Sequence, residues 1–316
     1  FAGGTLGYRT RVRKWAKGSC DTAPVPGRNV TIVRLDTGEI LRVFGRVQDT
    51  PTRLADKLKG SGGLVETPFD SPMVGTPVVY PDQVGVPIQR VFIGDADGTL
   101  WRIDLSSTDP ADWKAGLFAD LIGKATSADA AASQPIQVPP VLSTDENGGL
   151  IINAATGDQE SIVASDTLEN FVYALRDARV SYTTPKAELL WYKKLSKSER
   201  VTGPMTVFDK TLYFATYVPE RGGTTLASCN SPGAAWLWGM SYITPKGVAG
   251  DGGENRWCPA ASVDTTATGA GLCTAPSLLE KESAKDANPT DPGLGKDIIP
   301  GVTLASSQAC VGNDTT

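Results

Sequence analysis

The chemistry open to this chain falls to its carboxylates, Lys, Tyr or a bound cofactor, because its 316 residues contain no histidine. That removes Ser-His-Asp and Cys-His nucleophile systems, His-ligated zinc and axial-His haem. The five cysteines, Cys20, Cys229, Cys258, Cys273 and Cys310, stand too far apart for a CxxC metal or redox motif. Four of them lie in the last third, among Gly/Pro/Ser-rich segments with few other means of being held. An oxidising compartment would place bridges there. Cys258 with Cys273 is the first candidate pair and Cys229 with Cys310 the next, which leaves Cys20 for a partner outside the chain. The other reading is buried free thiols in a reducing compartment. Among the carboxylates, Gly94-Asp95-Ala96-Asp97-Gly98 and Asp145-Glu146-Asn147-Gly148 set Asp, or Asp and Asn, two residues apart. Such a pair falls short of the roughly six to eight oxygens that calcium takes. Asp and Asn before Gly are also what tight turns select for conformational reasons alone. Both segments are therefore read as turns.

The elements around these turns are strands. Arg90 to Leu105, RVFIGDADGTLWRIDL, is an apolar run, a turn, and a second run in which Leu100, Arg102 and Asp104 alternate with Trp101, Ile103 and Leu105. Asp97-Gly98 reads as a two-residue turn with both central positions at φ > 0. The plan recurs in Pro140–Leu195 and in Pro204–Pro245, each unit having an entry strand, a turn, an apolar second strand and a third carrying an aromatic. An earlier copy is NVTIVRLDTGEILRVF, Asn29–Phe44, turned at Asp36-Thr37-Gly38, and a last strand is expected within Ile299–Val311. A sheet of this kind cannot bury both faces alone, whereas blades stacked radially can. The expected fold is all-β, a divergent, partial β-propeller with long loop insertions. Val91–Ile93, Ile151–Asn153 and Leu212–Ala215 are expected in central strands.

The organisation follows from that reading: residues 1–28 an N-terminal edge segment, 29–245 the blades, 246–298 a long Gly/Pro/Ser-rich loop, and 299–316 a closing strand and tail. Within these, Pro51–Lys59 reads as a short amphipathic helix, Leu117–Gln134 as containing a further helical turn, and the Arg/Lys cluster at Arg9–Lys17 as the solvated side of an edge strand. The 34 Gly and 22 Pro fit many turns better than many helices. A net charge of −5 argues against a nucleic-acid surface. No apolar run is long enough to span a bilayer. The start at Phe1, without Met or signal peptide, reads as a piece of something longer.

Taken in order, these segments resemble the C-terminal propeller domain of PilY-type proteins, the adhesins of type IV pilus tips. GTPVVY (Gly75–Tyr80) precedes RVFIGDADGTLWRIDL, which looks like the family's "YAGDxxGNLWRFDL" block. PIQVPPVLSTDENGGLIINAATGD (Pro135–Asp158) and ENFVYALRDAR resemble its "FGTG" and "FYGIxD" blocks, and ERVTGPMTVFDKTLYFATYVPE with the following Cys and aromatic strand its "FTTYxP…C" block. The resemblance covers roughly Val30 to Tyr242. It implies a secreted, non-catalytic protein at the pilus tip, on the cell surface, that primes pilus assembly and supports adhesion and motility. Its implied partners are minor pilins or tip subunits and a host or surface ligand, with no nucleic acid and no membrane span. The family's calcium loop precedes the "YAGD" strand. Here that place reads YPDQVGVPIQ (Tyr80–Gln89), where Asp82 is the one side-chain carboxylate, so the resemblance carries a degenerate calcium site and no other cofactor. Two alternatives stand beside it. One is a scaffold propeller of outer-membrane assembly. The other is a quinoprotein-like dehydrogenase, whose blade repeat docks a tryptophan between sheets, a part open to Trp101, Trp113, Trp191, Trp236 and Trp238.

Overall fold

Short apolar runs bounded by Asx, Gly and Pro turns satisfy their backbone groups by pairing with the next run, so chain neighbours become sheet neighbours. The computed structural model describes residues 2–3, 27–46, 63–69, 71–121, 134–160, 168–178, 187–208, 210–219, 233–242, 302–305 and 308–311. Strands β1 (Ala2–Gly3), β2 (Asn29–Val33), β3 (Ile40–Gly45) and β4 (Leu64–Glu66) form one sheet in that order; β4 runs parallel to β3 and the other pairs are antiparallel. β5 (Val78–Tyr80), β6 (Arg90–Gly94), β7 (Thr99–Asp104) and β8 (Lys114–Asp120) make an antiparallel meander. β9 (Val141–Thr144), β10 (Leu150–Ala155), β11 (Glu169–Asp177) and β12 (Ala187–Lys197) repeat the four-strand order. β13 (Arg200–Val201) and β14 (Thr206–Phe208) both pair with β15 (Thr211–Pro219), which pairs along its length with β16 (Gly233–Ser241). β17 (Val302–Ala305) and β18 (Gln308–Val311) form a hairpin.

The chain divides into two compact units, Phe1–Pro139 with Ala178–Ala187, and Pro140–Asp177 with Glu188–Thr316. In the first, Val30, Ile32, Phe44, Phe69, Met73, Val91, Ile93, Trp101, Ile103 and Leu105 form one buried cluster. Phe69 meets Trp101 edge to face with centroids 4.8 Å apart. Burying each such side chain is worth about 1.5–3 kcal/mol. Gly94, the last residue of β6, lets the chain pass close by: a Cβ there would lie 2.4 Å from Ile136 Cβ. That contact, with the Ile136 N–H donating to Asp95 O at 3.0 Å, sets where the β6–β7 turn begins.

In the second unit every residue of β10 is buried, as a strand covered on both faces requires. β12 alternates from Trp191 to Leu195, its buried Trp191, Lys193 and Leu195 interleaved with exposed Tyr192 and Lys194. Lys193 lies over the Trp238 ring at 5.1 Å, and Trp238 stacks on Phe214 at 6.1 Å. A buried lysine tucked against an indole face retains electrostatic stabilisation in place of water.

The described residues are all-β apart from a 3-10 turn at Pro110–Asp112, and the three runs expected as central strands lie in β6, β10 and β15. Several details differ from the sequence reading. Of the span Leu117–Gln134 read as containing a helical turn, Leu117–Asp120 is strand, because β8 pairs with β7 from Lys114 to Asp120 and Phe118 packs edge to face on Phe92 at 5.1 Å; residues 122–133 lie outside the described residues. The closing segment holds two strands instead of one. β4, three residues in a Gly-rich stretch read as loop, joins the first sheet through Val43 N–H donating to Gly63 O at 2.7 Å and Thr67 N–H to Gly45 O at 3.1 Å. Pro51–Lys59, Arg9–Lys17 and residues 246–298 lie outside the described residues.

Candidate functional site

The two acidic turns have one design. In the first unit Asp95 Oδ1 accepts the N–H of Asp97 at 3.1 Å and of Thr99 at 2.8 Å, and the Asp95 N–H donates to Thr99 O at 3.0 Å. In the second unit Asp145 Oδ1 accepts the N–H of Asn147 at 2.9 Å and of Gly149 at 2.7 Å, and the Asp145 N–H donates to Gly149 O at 2.8 Å. Each turn ends on a left-handed glycine, Gly98 at φ 87° and Gly148 at φ 74°. Asp97 does not share that sign, so the two-residue turn with both centres at φ > 0 is not what forms. The carboxylate gathers two backbone donors, and within each turn only the glycine takes φ > 0.

The second carboxylate oxygen separates the two. Asp95 Oδ2 accepts the indole N–H of Trp101 at 2.7 Å, with Asp95, Asp97 and Thr99 all fully buried. Thr99 Oγ1 donates to Asp97 Oδ1 at 3.1 Å, and Asp97 Oδ2 is buried with no partner among the described residues. Asp145 Oδ2 instead accepts from Arg176 Nε at 3.1 Å, and Arg176 reaches on to Glu188 at 3.2 Å. The Gly149 N–H hydrogen bond, helped by the Asn147 N–H and the Arg176 guanidinium and opposed by burial, holds the Asp145 carboxyl below its ordinary pKa.

A further tryptophan is held by a relay in the second unit. The Trp238 indole donates to Thr216 Oγ1 at 2.9 Å, and the Thr216 hydroxyl donates to Glu199 Oε1 at 2.5 Å. Glu199 Oε2 accepts the Ser196 N–H at 2.8 Å, and Asn170 Nδ2 donates to Glu199 O at 2.7 Å. Arg200 beside it is buried with Nη1 donating to Asp158 O at 2.7 Å. Burial pushes its guanidinium pKa down while Asp158 pushes it up. Trp191 donates to Tyr242 O at 3.2 Å. Asp95 thus holds Trp101 directly, and Glu199 holds Trp238 through Thr216.

Asp82 sits in the exposed β5–β6 loop. Val86 N–H closes its tip onto Gln83 O at 3.1 Å with Gly85 at φ 83°, Val84 is fully exposed, and Gln89 N–H returns to Tyr80 O at 2.8 Å. Among the described residues no three Asp, Glu, Cys or His side chains gather as a metal site. Cys20, Cys229, Cys258 and Cys273 lie outside the described residues; the backbone of Cys310 pairs with Thr303. Of the five tryptophans with a docking part open to them, Trp101, Trp191 and Trp238 are buried. Sequence reasoning missed the two side chains that accept an indole N–H, Asp95 and Thr216. The signal was present for one: an Asp six residues before a Trp across a tight hairpin.

No protein-family model matches the chain, and no curated protein matches it. Among solved structures it is similar to the crystal structure of the Pseudomonas aeruginosa PilY1 C-terminal domain, at 15% identity and a TM-score of 0.46, over 69% of this chain and 54% of that chain. The chain spans about half the length of that structure. Among the described residues no helix is long and apolar enough to cross a membrane.

Proposed function

We propose that this chain is a non-catalytic, propeller-type domain of a type IV pilus tip-associated protein, acting at the cell surface to prime pilus assembly and support adhesion. The observation that carries the reading is the order of the sequence blocks and their match to strands. GTPVVY with RVFIGDADGTLWRIDL covers β5–β7, PIQVPPVLSTDENGGLIINAATGD covers β9 and β10, ENFVYALRDAR covers β11, and ERVTGPMTVFDKTLYFATYVPE covers β13–β15. Each block thus occupies consecutive strands of one sheet. Carboxylates committed to holding Trp101 and Trp238 suit a scaffold whose work is contact and not bond-making. Its partners on this reading are minor pilins, and a host or surface ligand.

The test is genetic and biochemical together. Deleting the segment Gly75–Tyr242 from the native protein is expected to abolish surface pili, and the intact protein, cross-linked in cells, is expected to carry minor pilins with it. Normal piliation after the deletion, with cross-links to outer-membrane assembly proteins instead, would place the chain in the scaffold class.

A further inference from the structure

Ser143 and Asn153 stand out among the polar side chains of the second unit. Asn153 is fully buried, and both its Oδ1 and its Nδ2 lack a hydrogen-bond partner among the described residues; the buried Ser143 Oγ lacks one as well. Roughly nine in ten or more buried polar atoms in folded proteins are satisfied. Leaving an amide unpaired in apolar surroundings costs about 1–3 kcal/mol on mutational scales, so three such atoms close together call for a partner.

Register brings them together. Ser143 pairs with Ile151, while Asn153 pairs with Val141 on one side and Ala174 on the other. Directly paired residues share a sheet face, so Ser143 and Asn153 lie on one face as diagonal neighbours, about 7–8 Å apart at Cα. Tyr192 packs against Phe171 and Tyr173, which belong to the opposite face because Tyr173 pairs with Ala154. Trp191 and Lys193 therefore share the face of Asn153. Trp191 donates to Tyr242 O and Lys193 lies over Trp238, so this face looks onto the β15–β16 side of the same unit.

We infer that Ser143 and Asn153 form a small buried hydration site, in which an ordered water bridges the serine hydroxyl and the asparagine amide. Ala174, the partner of Asn153 on β11, and Ala155 beside it are small, while Ile151 and Val141 occupy the other two corners of the square that Ser143 and Asn153 share. One water, with hydrogen-bond legs of about 2.8–3.0 Å, spans the diagonal that the two short side chains do not close themselves. It supplies both a donor and an acceptor, which is what an unpaired Asn needs and what a bound ion would not offer. The water would tie β9 to β10 from the side chains as the ladder does from the backbone.

The test is a crystal structure at a resolution that shows ordered water, together with a double-mutant cycle on the full chain. Density within hydrogen-bond distance of both Ser143 Oγ and Asn153 is expected. Ser143→Ala and Asn153→Ala should each lower Tm by a few degrees, and the double variant should lose clearly less than the sum, because either change alone releases the shared water. A dry contact with apolar atoms, a water touching only one of the two, or strictly additive shifts would overturn the inference. If Asn153→Ala does not fold, nuclear Overhauser transfer from water to the Asn153 side-chain amide in the wild type decides: long-lived water contact supports the site and its absence overturns it.

Discussion

The turns at Asp95 and Asp145 share a backbone and part company at one oxygen. Both carboxylates collect the N–H groups two and four residues on, and both hand the reversal to a glycine. Six residues after Asp95 stands Trp101, whose indole reaches Oδ2; six residues after Asp145 stands Ile151, which has nothing to donate. The donor then comes from the strand beside it, since Arg176 is the cross-strand partner of Ile151. The same local motif thus yields a buried, neutral-donor anchor in one unit and a half-buried ion pair in the other. Only the first ties the turn to the hydrophobic cluster, through Phe69 on Trp101. The turn chemistry is local, and what the turn holds is decided by a single residue on the next strand.

On that difference, Asp95→Ala has the largest effect. It strands two backbone N–H groups and a buried indole N–H, and should cost roughly 3–5 kcal/mol in chemical denaturation. Trp101→Phe keeps a ring against Phe69 but leaves Asp95 Oδ2 without its donor, for about 1–3 kcal/mol. In the second turn, Gly149→Ala sets a Cβ about 2.6 Å from Asp145 Oδ2 and should cost about 1–2 kcal/mol as the carboxylate is pushed aside. Thr99, at the matching position of the first turn, already carries a Cβ, so Thr99→Ala should lose only its hydroxyl bond to Asp97, about 0.5–1.5 kcal/mol. Equal losses from Asp95→Ala and Asp145→Ala would erase the distinction.

The smallest effect is electrostatic. Asp145 has a lowered pKa, so it contributes stability that is present above its unfolded value near about pH 4 and lost as pH falls through the still lower folded value. Comparing wild type with Asp145→Asn between about pH 6 and pH 2 should show the curves converging at the acid end. Curves that stay parallel would show that Asp145 carries no such linkage.

Much of this was readable from residue order. Asp97-Gly98 and Asn147-Gly148 mark their hairpins because glycine alone turns there at no steric cost, and the apolar runs of β6, β10 and β15 announce central strands by having no polar face. The acidic turns were legible as turns. What each carboxylate holds was not, because the Trp101 and Arg176 contacts depend on register, on Ile93 facing Trp101 and Ile151 facing Arg176. β4 was illegible for a similar reason: Leu64–Glu66 is too short to show a period, and its pairing with Val43–Gly45 is a long-range choice. Leu117–Asp120 was illegible as strand because its short run shows no period, while β7 offers it a full ladder of backbone partners.

The most direct test is a pair of double-mutant cycles, Asp95→Ala with Trp101→Phe and Asp145→Ala with Arg176→Ala, each run at low salt and at about 1 M salt. A buried bond to a neutral indole should give a coupling of roughly 1–3 kcal/mol that salt leaves unchanged, whereas the Asp145–Arg176 coupling should be smaller and fade as salt rises. Couplings of equal size with the same salt response in both units would contradict the claim that one turn is a core anchor and the other a half-buried ion pair.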